Sequence, residues 1–84
     1  MNKKLVFKNN LGKVVYCVLN TTDDMKSQLE TIFAIQKGYG FTVDFDEKHI
    51  HIVDYFHGET RASFDVISFE DTNEDVNYQM NELK

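Results

Sequence analysis

The feature that most constrains the fold of this chain is an alternation of apolar and polar residues along two short segments, Phe41–Phe45 and residues 50–56. A period of two is typical of strands that bury one face, and the four polar residues between the segments suit a turn. The two segments therefore predict a β-hairpin. Its register is well defined, because a slip of one residue would bury charged side chains in place of apolar ones.

The favoured register makes two cross-strand pairs on each face. On the apolar face it pairs Phe45 with Ile50 and Val43 with Ile52; on the polar face it pairs Asp46 with His49 and Asp44 with His51. Two histidines at positions i and i+2 opposite two carboxylates are candidates for a tetrahedral zinc site. Neighbouring side chains on a sheet diverge as often as they converge, so the sequence predicts solvated Asp–His pairs, no metal bound at micromolar affinity and no cofactor.

A second hairpin is predicted at the N-terminal end. Residues 5–8 and 13–19 flank Asn9-Asn10-Leu11-Gly12, whose Asn and Gly residues suit a turn. Pairing Phe7 with Val14 would place five residues on one face: Leu5, Phe7, Val14, Tyr16 and Val18. The second of these strands is apolar on both faces, which predicts a central position in the sheet.

Residues 22–37 predict the main helix. Thr21 is the expected N-cap, with Asp24 as its capping-box partner, and Lys37 and Gly38 are expected to close the helix. The buried stripe at helical spacing consists of Met25, Leu29, Ile32, Phe33 and Gln36, flanked by Ile35.

The remaining segments predict a fifth strand over residues 61–69 and a short helix over residues 76–84, the latter from the spacing of Val76, Met80 and Leu83. Alternation along the fifth strand continues the core face through Ala62, Phe64 and Val66, and groups Val53, Tyr55, Ile67 and Phe69 on the opposite face. The expected fold class is α+β in a single domain, residues 1–84. A mostly antiparallel sheet, in the order β-β-α-β-β-β-α, packs one face on the main helix.

Composition narrows the class of function. The single cysteine, Cys17, lies in an apolar run and is expected to be a small buried residue in a reducing compartment. No apolar run has the length of a signal-peptide core or a membrane span, which predicts a cytoplasmic protein. The serines and histidines form no recognisable nucleophile motif, and so small a core leaves little volume for a pocket. The sequence therefore predicts that the protein is not an enzyme.

Charge is divided unevenly along the chain. Residues 1–39 carry three acidic and six basic residues, whereas residues 40–84 carry eleven acidic and three basic ones, within an overall net charge of −5. With a single arginine, Arg61, the chain has few means of reading bases, so direct nucleic-acid binding is not predicted. The acidic half instead predicts a surface that occupies the basic groove of a nucleic-acid-binding protein. The alternative is that its carboxylates serve solubility alone.

The leading hypothesis is an acidic, non-enzymatic protein that inhibits a basic, nucleic-acid-handling partner by mimicking nucleic acid. The many Lys and Asn residues indicate an AT-rich coding genome. Small acidic proteins of such origin are typical of the immunity and anti-defence inhibitors that phages and other mobile elements encode. This is a likeness of type, and no motif supports it. The expected contact residues are Asp44, Asp46, Tyr55, Phe69, Glu70, Asp71, Glu74 and Asp75. The alternatives are a homodimer formed through Val53, Tyr55, Ile67 and Phe69 and, third, a metal or small-ligand site at the His/Asp face.

Overall fold

A computed structural model describes residues 2–35 and 40–83, which form six strands and one helix within those ranges. The elements along the chain are β1 Asn2–Lys8, β2 Val14–Asn20, α1 Met25–Ile32, β3 Phe41–Phe45, β4 His49–Asp54, β5 Glu59–Thr72 and β6 Asn77–Glu82. The strands form one sheet in the order β3-β4-β5-β1-β2-β6, with antiparallel neighbours throughout. The expected α+β class with a mostly antiparallel sheet is confirmed, but the last element is a strand, not a helix.

The helix lies against the sheet and determines where the core forms. It contacts β2 and both edge strands, β3 and β6, so the sheet curls around it. The long strand β5 joins the two halves of the sheet, because its first half pairs with β4 and its second half with β1. The buried core consists of Leu5, Phe7, Val15, Cys17, Leu19, Leu29, Ile32, Val43 and Ile50. Within the described ranges no helix has the length and apolar character needed to cross a bilayer.

The register predicted for the β3–β4 hairpin is confirmed. Phe45 pairs with Ile50, Val43 with Ile52, and Asp44 with His51. The apolar members of these pairs face the helix and the core, which leaves the polar members on the outer side of the sheet.

The register predicted for the β1–β2 hairpin is wrong by one residue. Phe7 lies opposite Val15 in place of Val14, so Val15, Cys17 and Leu19 join the core face. The reason is the length of the loop. Asn9 pairs with Lys13 through a backbone hydrogen bond of 2.9 Å, which leaves a three-residue loop whose last residue, Gly12, has φ of +77°. Such a loop brings the strands together one residue earlier than the expected four-residue turn. The predicted central position of β2 is confirmed, because it lies between β1 and β6.

Helix α1 begins later than predicted. The side chain of Asn20 accepts hydrogen bonds from the backbone N–H and the hydroxyl of Thr22, at 3.0 and 2.8 Å, which holds this segment in a turn outside the helix. Asp24 is the N-cap in place of Thr21, and its carboxylate accepts from the N–H of Lys26 at 3.2 Å. A hydrogen bond from the Ser27 hydroxyl, together with that N–H, lowers the pKa of Asp24.

The helix also ends earlier than predicted. The N–H of Ala34 bonds the carbonyl of Thr31, and the N–H of Ile35 bonds that of Glu30, the two bonds of a Schellman motif. Ala34 has φ of +54°, a conformation that glycine adopts more readily than alanine. The buried stripe is confirmed for Leu29 and Ile32, with Met25, Phe33 and Ile35 packed beside the core. Gln36 and the expected closing residues, Lys37 and Gly38, lie outside the described residues.

The predicted C-terminal helix is wrong, because residues 77–82 pair with β2 as strand β6. Val76, Met80 and Leu83, whose spacing indicated a helix, are each at least 40% exposed and form no buried stripe. The edge of β2 explains the difference. It carries apolar side chains and unpaired backbone groups that β6 covers, whereas an isolated helix of nine residues would be marginal.

The buried side chain of Gln28 links the helix to β2 and β6. Its Oε1 accepts from the backbone N–H of Asn20 at 2.8 Å and from the hydroxyl of Tyr78 at 2.9 Å, and its Nε2 donates to the carbonyl of Asn20 at 2.8 Å. Gln28 therefore links the helix to β2 and to β6, which is also held by strand pairing with β2 and by the Lys13–Glu82 ion pair.

Gln28→Ala is expected to lower the free energy of unfolding by about 2–4 kcal/mol, because it removes the partner of three polar groups, the backbone N–H and carbonyl of Asn20 and the hydroxyl of Tyr78. Tyr78→Phe removes one of these hydrogen bonds and keeps the backbone pair, so a loss of about 0.5–1.5 kcal/mol is expected. Urea denaturation measures both values. Losses of equal size would contradict the linking role of Gln28.

Candidate functional site

The polar side of β3, β4 and the first half of β5 carries the densest group of potential binding side chains. We call it the acidic face; it consists of Asp44, Asp46, His49, His51, Ser63 and Asp65. Cross-strand pairing places these residues together, since Asp44 lies opposite His51, His51 opposite Ser63, and His49 opposite Asp65. They alternate along the strands with core residues such as Val43 and Ile50, which fixes their outward direction.

The two histidines lie at the centre of the acidic face. Their rings stack with centroids 5.6 Å apart and planes inclined by 23°. The Nδ1 atom of His51 is 2.7 Å from the hydroxyl oxygen of Ser63. His49 lies between two carboxylates, with Nδ1 3.9 Å from Asp46 and Nε2 3.8 Å from Asp65. The predicted pair of Asp46 and His49 is therefore in contact, Asp44 lies opposite His51 in the register, and β5 adds Ser63 and Asp65 to the group.

Asp46 is held in place by the turn between β3 and β4. Its Oδ1 accepts from the backbone N–H groups of His49 at 2.8 Å and Lys48 at 3.0 Å. These two bonds, that from His49 most strongly, lower the pKa of Asp46. The carboxylate is therefore ionised at neutral pH and fixed in direction beside His49.

Folding partly cancels the uneven charge distribution of the sequence. Lysines of the first hairpin lie against carboxylates of the C-terminal third, with N–O distances of 3.6 Å for Lys3–Asp71, 3.0 Å for Lys4–Glu74 and 2.9 Å for Lys13–Glu82. The six acidic residues among the expected contacts therefore separate into two groups. Asp44 and Asp46 lie on the acidic face, whereas Glu70, Asp71, Glu74 and Asp75 lie at the corner between β5 and β6, beside Lys3 and Lys4.

The expected apolar contact surface does not form. The register between β1 and β5 shifts between Val66 and Ser68, so Ile67 is an extra residue on β5 and the side chains that follow it change face. Phe69 consequently packs against the core, with its ring 5.1 Å from that of Phe45. Strand β4 ends at Asp54, which places Tyr55 in the following turn with 71% of its surface exposed. The grouping of Phe69 and Tyr55 with Val53 and Ile67 on one face was wrong.

Sequence reasoning missed a second polar cluster, centred on Asp54 at the end of β4. This carboxylate accepts from the N–H groups of Phe56 and His57 at 3.0 and 3.2 Å, from Nδ1 of His57 at 2.9 Å and from the guanidinium of Arg61 at 3.1 Å. The bonds from the side chains of His57 and Arg61 are the main cause of a pKa lowered from 3.8 to about 2. The pattern Asp-x-x-His before a Gly-containing turn was the available signal. The cluster shapes the β4–β5 connection and presents no free ligand atom of Asp54 to solution.

The contribution of Asp54 to stability is expected to depend on pH in the acid range. The carboxylate ionises more readily in the folded state, so its contribution is complete at neutral pH and is lost as the pH falls from 3.8 to about 2. Asp54→Asn should reduce stability at pH 7 and flatten the decline between these values. Urea denaturation at a series of pH values measures this, with Asp44→Asn as the exposed control. An undiminished decline in Asp54→Asn would contradict this role.

The hydrogen bond between Ser63 and His51 supplies two parts of a nucleophilic triad. The third part, an acid that orients the histidine through its other nitrogen, is not formed among residues 2–35 and 40–83. Both side chains also lie on an open sheet surface and not in a cleft that excludes water. The bond is better interpreted as one that fixes the direction of the His51 ring.

Comparison of the chain with protein-family models, curated proteins and solved structures finds no match. The geometry of the acidic face is therefore the basis for the function proposed below.

Proposed function

We propose that this protein is a non-enzymatic binding protein whose acidic face contacts a basic protein, and that it inhibits a nucleic-acid-handling partner by occupying the groove that binds phosphates. The supporting observation is the clustering of Asp44, Asp46 and Asp65 on one rigid sheet surface. None of these three carboxylates has a lysine or arginine within ion-pair distance in the described part of the chain.

The absence of lysine and arginine beside Asp44, Asp46 and Asp65 in the described part of the chain favours the acidic face over the corner between β5 and β6, where two of the four carboxylates are paired with lysines. At the corner, Lys3 and Lys4 neutralise Asp71 and Glu74, and a partner would have to compete with these internal pairs. On the acidic face the basic neighbour of Asp46 and Asp65 among the described residues is His49, so a basic partner there competes with no lysine or arginine. Close, unscreened charge of one sign speeds association with a partner of the opposite sign.

The strand pairing of the sheet also fixes the backbone positions of the residues on the acidic face. Asp44, His51 and Ser63 lie on three hydrogen-bonded strands, so their backbone positions are set by the ladder and not by a loop. Side chains on such elements lose little freedom on binding. A homodimer through Val53, Tyr55, Ile67 and Phe69 is less well supported, because Phe69 is turned towards the core.

The salt dependence of association tests the proposal. An arginine- and lysine-rich peptide serves as the probe, with the same peptide carrying glutamine at every basic position as its control. The Debye length is about 8 Å at 0.15 M salt, so affinity should fall steeply as salt rises, mainly through a slower association rate. Affinity for the basic peptide that is independent of salt, or equal for both peptides, would contradict the proposal.

A further inference from the structure

We propose that Asp46, His49 and His51 form a binding site for one divalent transition-metal ion of the zinc type. Ligand atoms of these three residues, one from each side chain, lie within 4.8 Å of one another. The three residues belong to the β3–β4 turn and to β4, so the site is contained within one hairpin.

The donor set points to this class of ion. Two imidazole nitrogens and one carboxylate oxygen suit Zn²⁺ and its neighbours in the first transition row, whereas Mg²⁺ and Ca²⁺ prefer oxygen ligands alone. A tetrahedral zinc ion bound by three protein ligands keeps a fourth position for water. Asp65, 3.8 Å from Nε2 of His49, adds a further carboxylate beside that histidine.

Closing the ligands around an ion requires only small movements. Zinc–nitrogen and zinc–oxygen bonds of about 2.0–2.2 Å bring tetrahedral ligand atoms to within roughly 3.4 Å of each other. The side chains of Asp46 and His49 are 62% and 48% exposed, so they can rotate by this amount without disturbing the core. The backbone beneath them is held by the strand pairing of β3 and β4.

Three hydrogen bonds already orient two of the ligands, His51 and Asp46. The Ser63 hydroxyl engages Nδ1 of His51 at 2.7 Å, which leaves Nε2 of that ring to face an ion. Backbone N–H groups of Lys48 and His49 hold Oδ1 of Asp46, so its other carboxylate oxygen stays available. Histidine ligands in metal sites characteristically have such a partner on the second ring nitrogen.

The sequence predicted that no metal would bind at micromolar affinity, for the reason that neighbouring side chains on a sheet need not converge. In the structure, three of the four candidate side chains do converge, and Ser63 supplies an orienting contact that the sequence did not indicate. The geometric reason for expecting no metal therefore does not apply to this hairpin.

Titration of the chelator-treated chain with ZnCl₂ tests the proposal, with heat and ring-proton NMR signals of the three histidines as readouts. One ion per chain should bind at micromolar concentrations and shift the signals of His49 and His51. His51→Ala should abolish this binding, and Ser63→Ala should weaken it about tenfold. His57→Gln is the matched control, because His57 bonds Asp54 in the β4–β5 turn and is not part of the group.

The burial of the cysteine and the effect of pH both help to interpret the zinc titration. Cys17 is fully buried, and burial raises the pKa of its thiol to about 12, so it does not compete for zinc in the folded chain. Binding should weaken on acidification, since protons compete for the histidine nitrogens. The proposal is overturned if millimolar Zn²⁺ leaves the His49 and His51 signals unchanged, if MgCl₂ shifts them equally, or if His57→Gln removes binding as completely as His51→Ala.

Discussion

Phe7→Ala is expected to lower the free energy of unfolding by about 3–5 kcal/mol, the largest effect on stability predicted for this chain. Phe7 is fully buried, and its ring centroid lies 5.6 Å from that of Phe33 and 6.2 Å from that of Phe64. Removing it leaves a cavity where β1, β5 and the end of the helix meet. A domain of this length has a total stability of roughly 4–12 kcal/mol, so the loss removes a large share of it.

Phe56→Ala is the matched control. Phe56 has the same side chain but is 75% exposed in the β4–β5 turn, so a change of about 0.5 kcal/mol or less is expected. Urea denaturation followed by circular dichroism measures both variants. Equal losses, or a loss below about 1 kcal/mol for Phe7→Ala, would mean that the aromatic cluster is not the centre of the core.

The double variant Asp44→Lys/Asp65→Lys is expected to reduce affinity for an arginine- and lysine-rich peptide by at least about tenfold, which corresponds to about 1.4 kcal/mol. Both residues lie on the acidic face, on β3 and β5, and each reversal turns an attraction into a repulsion. Their side chains point away from the core, so the fold should be retained.

The matched control is Glu70→Lys/Asp75→Lys, which changes the net charge by the same amount, from −5 to −1. It leaves the Lys3–Asp71 and Lys4–Glu74 ion pairs in place. If the acidic face makes the contact, this control should lose much less affinity. Similar losses in both variants would show that net charge determines binding, and not the acidic face.

Periodicity was sufficient to predict elements whose two faces differ strongly. The β3–β4 hairpin alternates from Phe41 to Phe45 and from His49 to Ile52, so a single register buries its apolar residues, and that register is observed. The β1–β2 hairpin has an apolar second strand on both faces, so periodicity cannot distinguish Val14 from Val15 as the partner of Phe7. The length of the loop decides between them, through the positive φ of Gly12.

The last element could not be predicted because local and tertiary preferences disagree. The spacing of Val76, Met80 and Leu83 is compatible with a helix, but the edge of β2 provides a pairing partner distant in sequence. The bulge at Ile67, which redirects Phe69, is likewise set by the pairing of β5 with β1. Neither contact leaves a signal in the segment itself.

The candidate site was predictable only as far as the β3–β4 hairpin extends. Asp44, Asp46, His49 and His51 follow from its register, whereas Ser63 and Asp65 require the pairing of β5 with β4. Charge counting along the chain favoured the corner near Glu70 and Asp75 as strongly as the acidic face. Lys3 and Lys4 reach that corner through β1–β5 pairing, which cannot be derived from the order of charges.

Mapping the contact surface by NMR tests most directly whether the acidic face binds a basic partner. The ¹⁵N-labelled chain is titrated with the arginine- and lysine-rich peptide at about 0.05 M salt, where the Debye length is longer than at 0.15 M. We expect the largest backbone shift changes on the acidic face, at residues 44, 46, 49, 51, 63 and 65, with the changes disappearing for the glutamine peptide. Changes concentrated at residues 70–75 or at Tyr55 and Phe56, with the acidic face unaffected, would contradict this function.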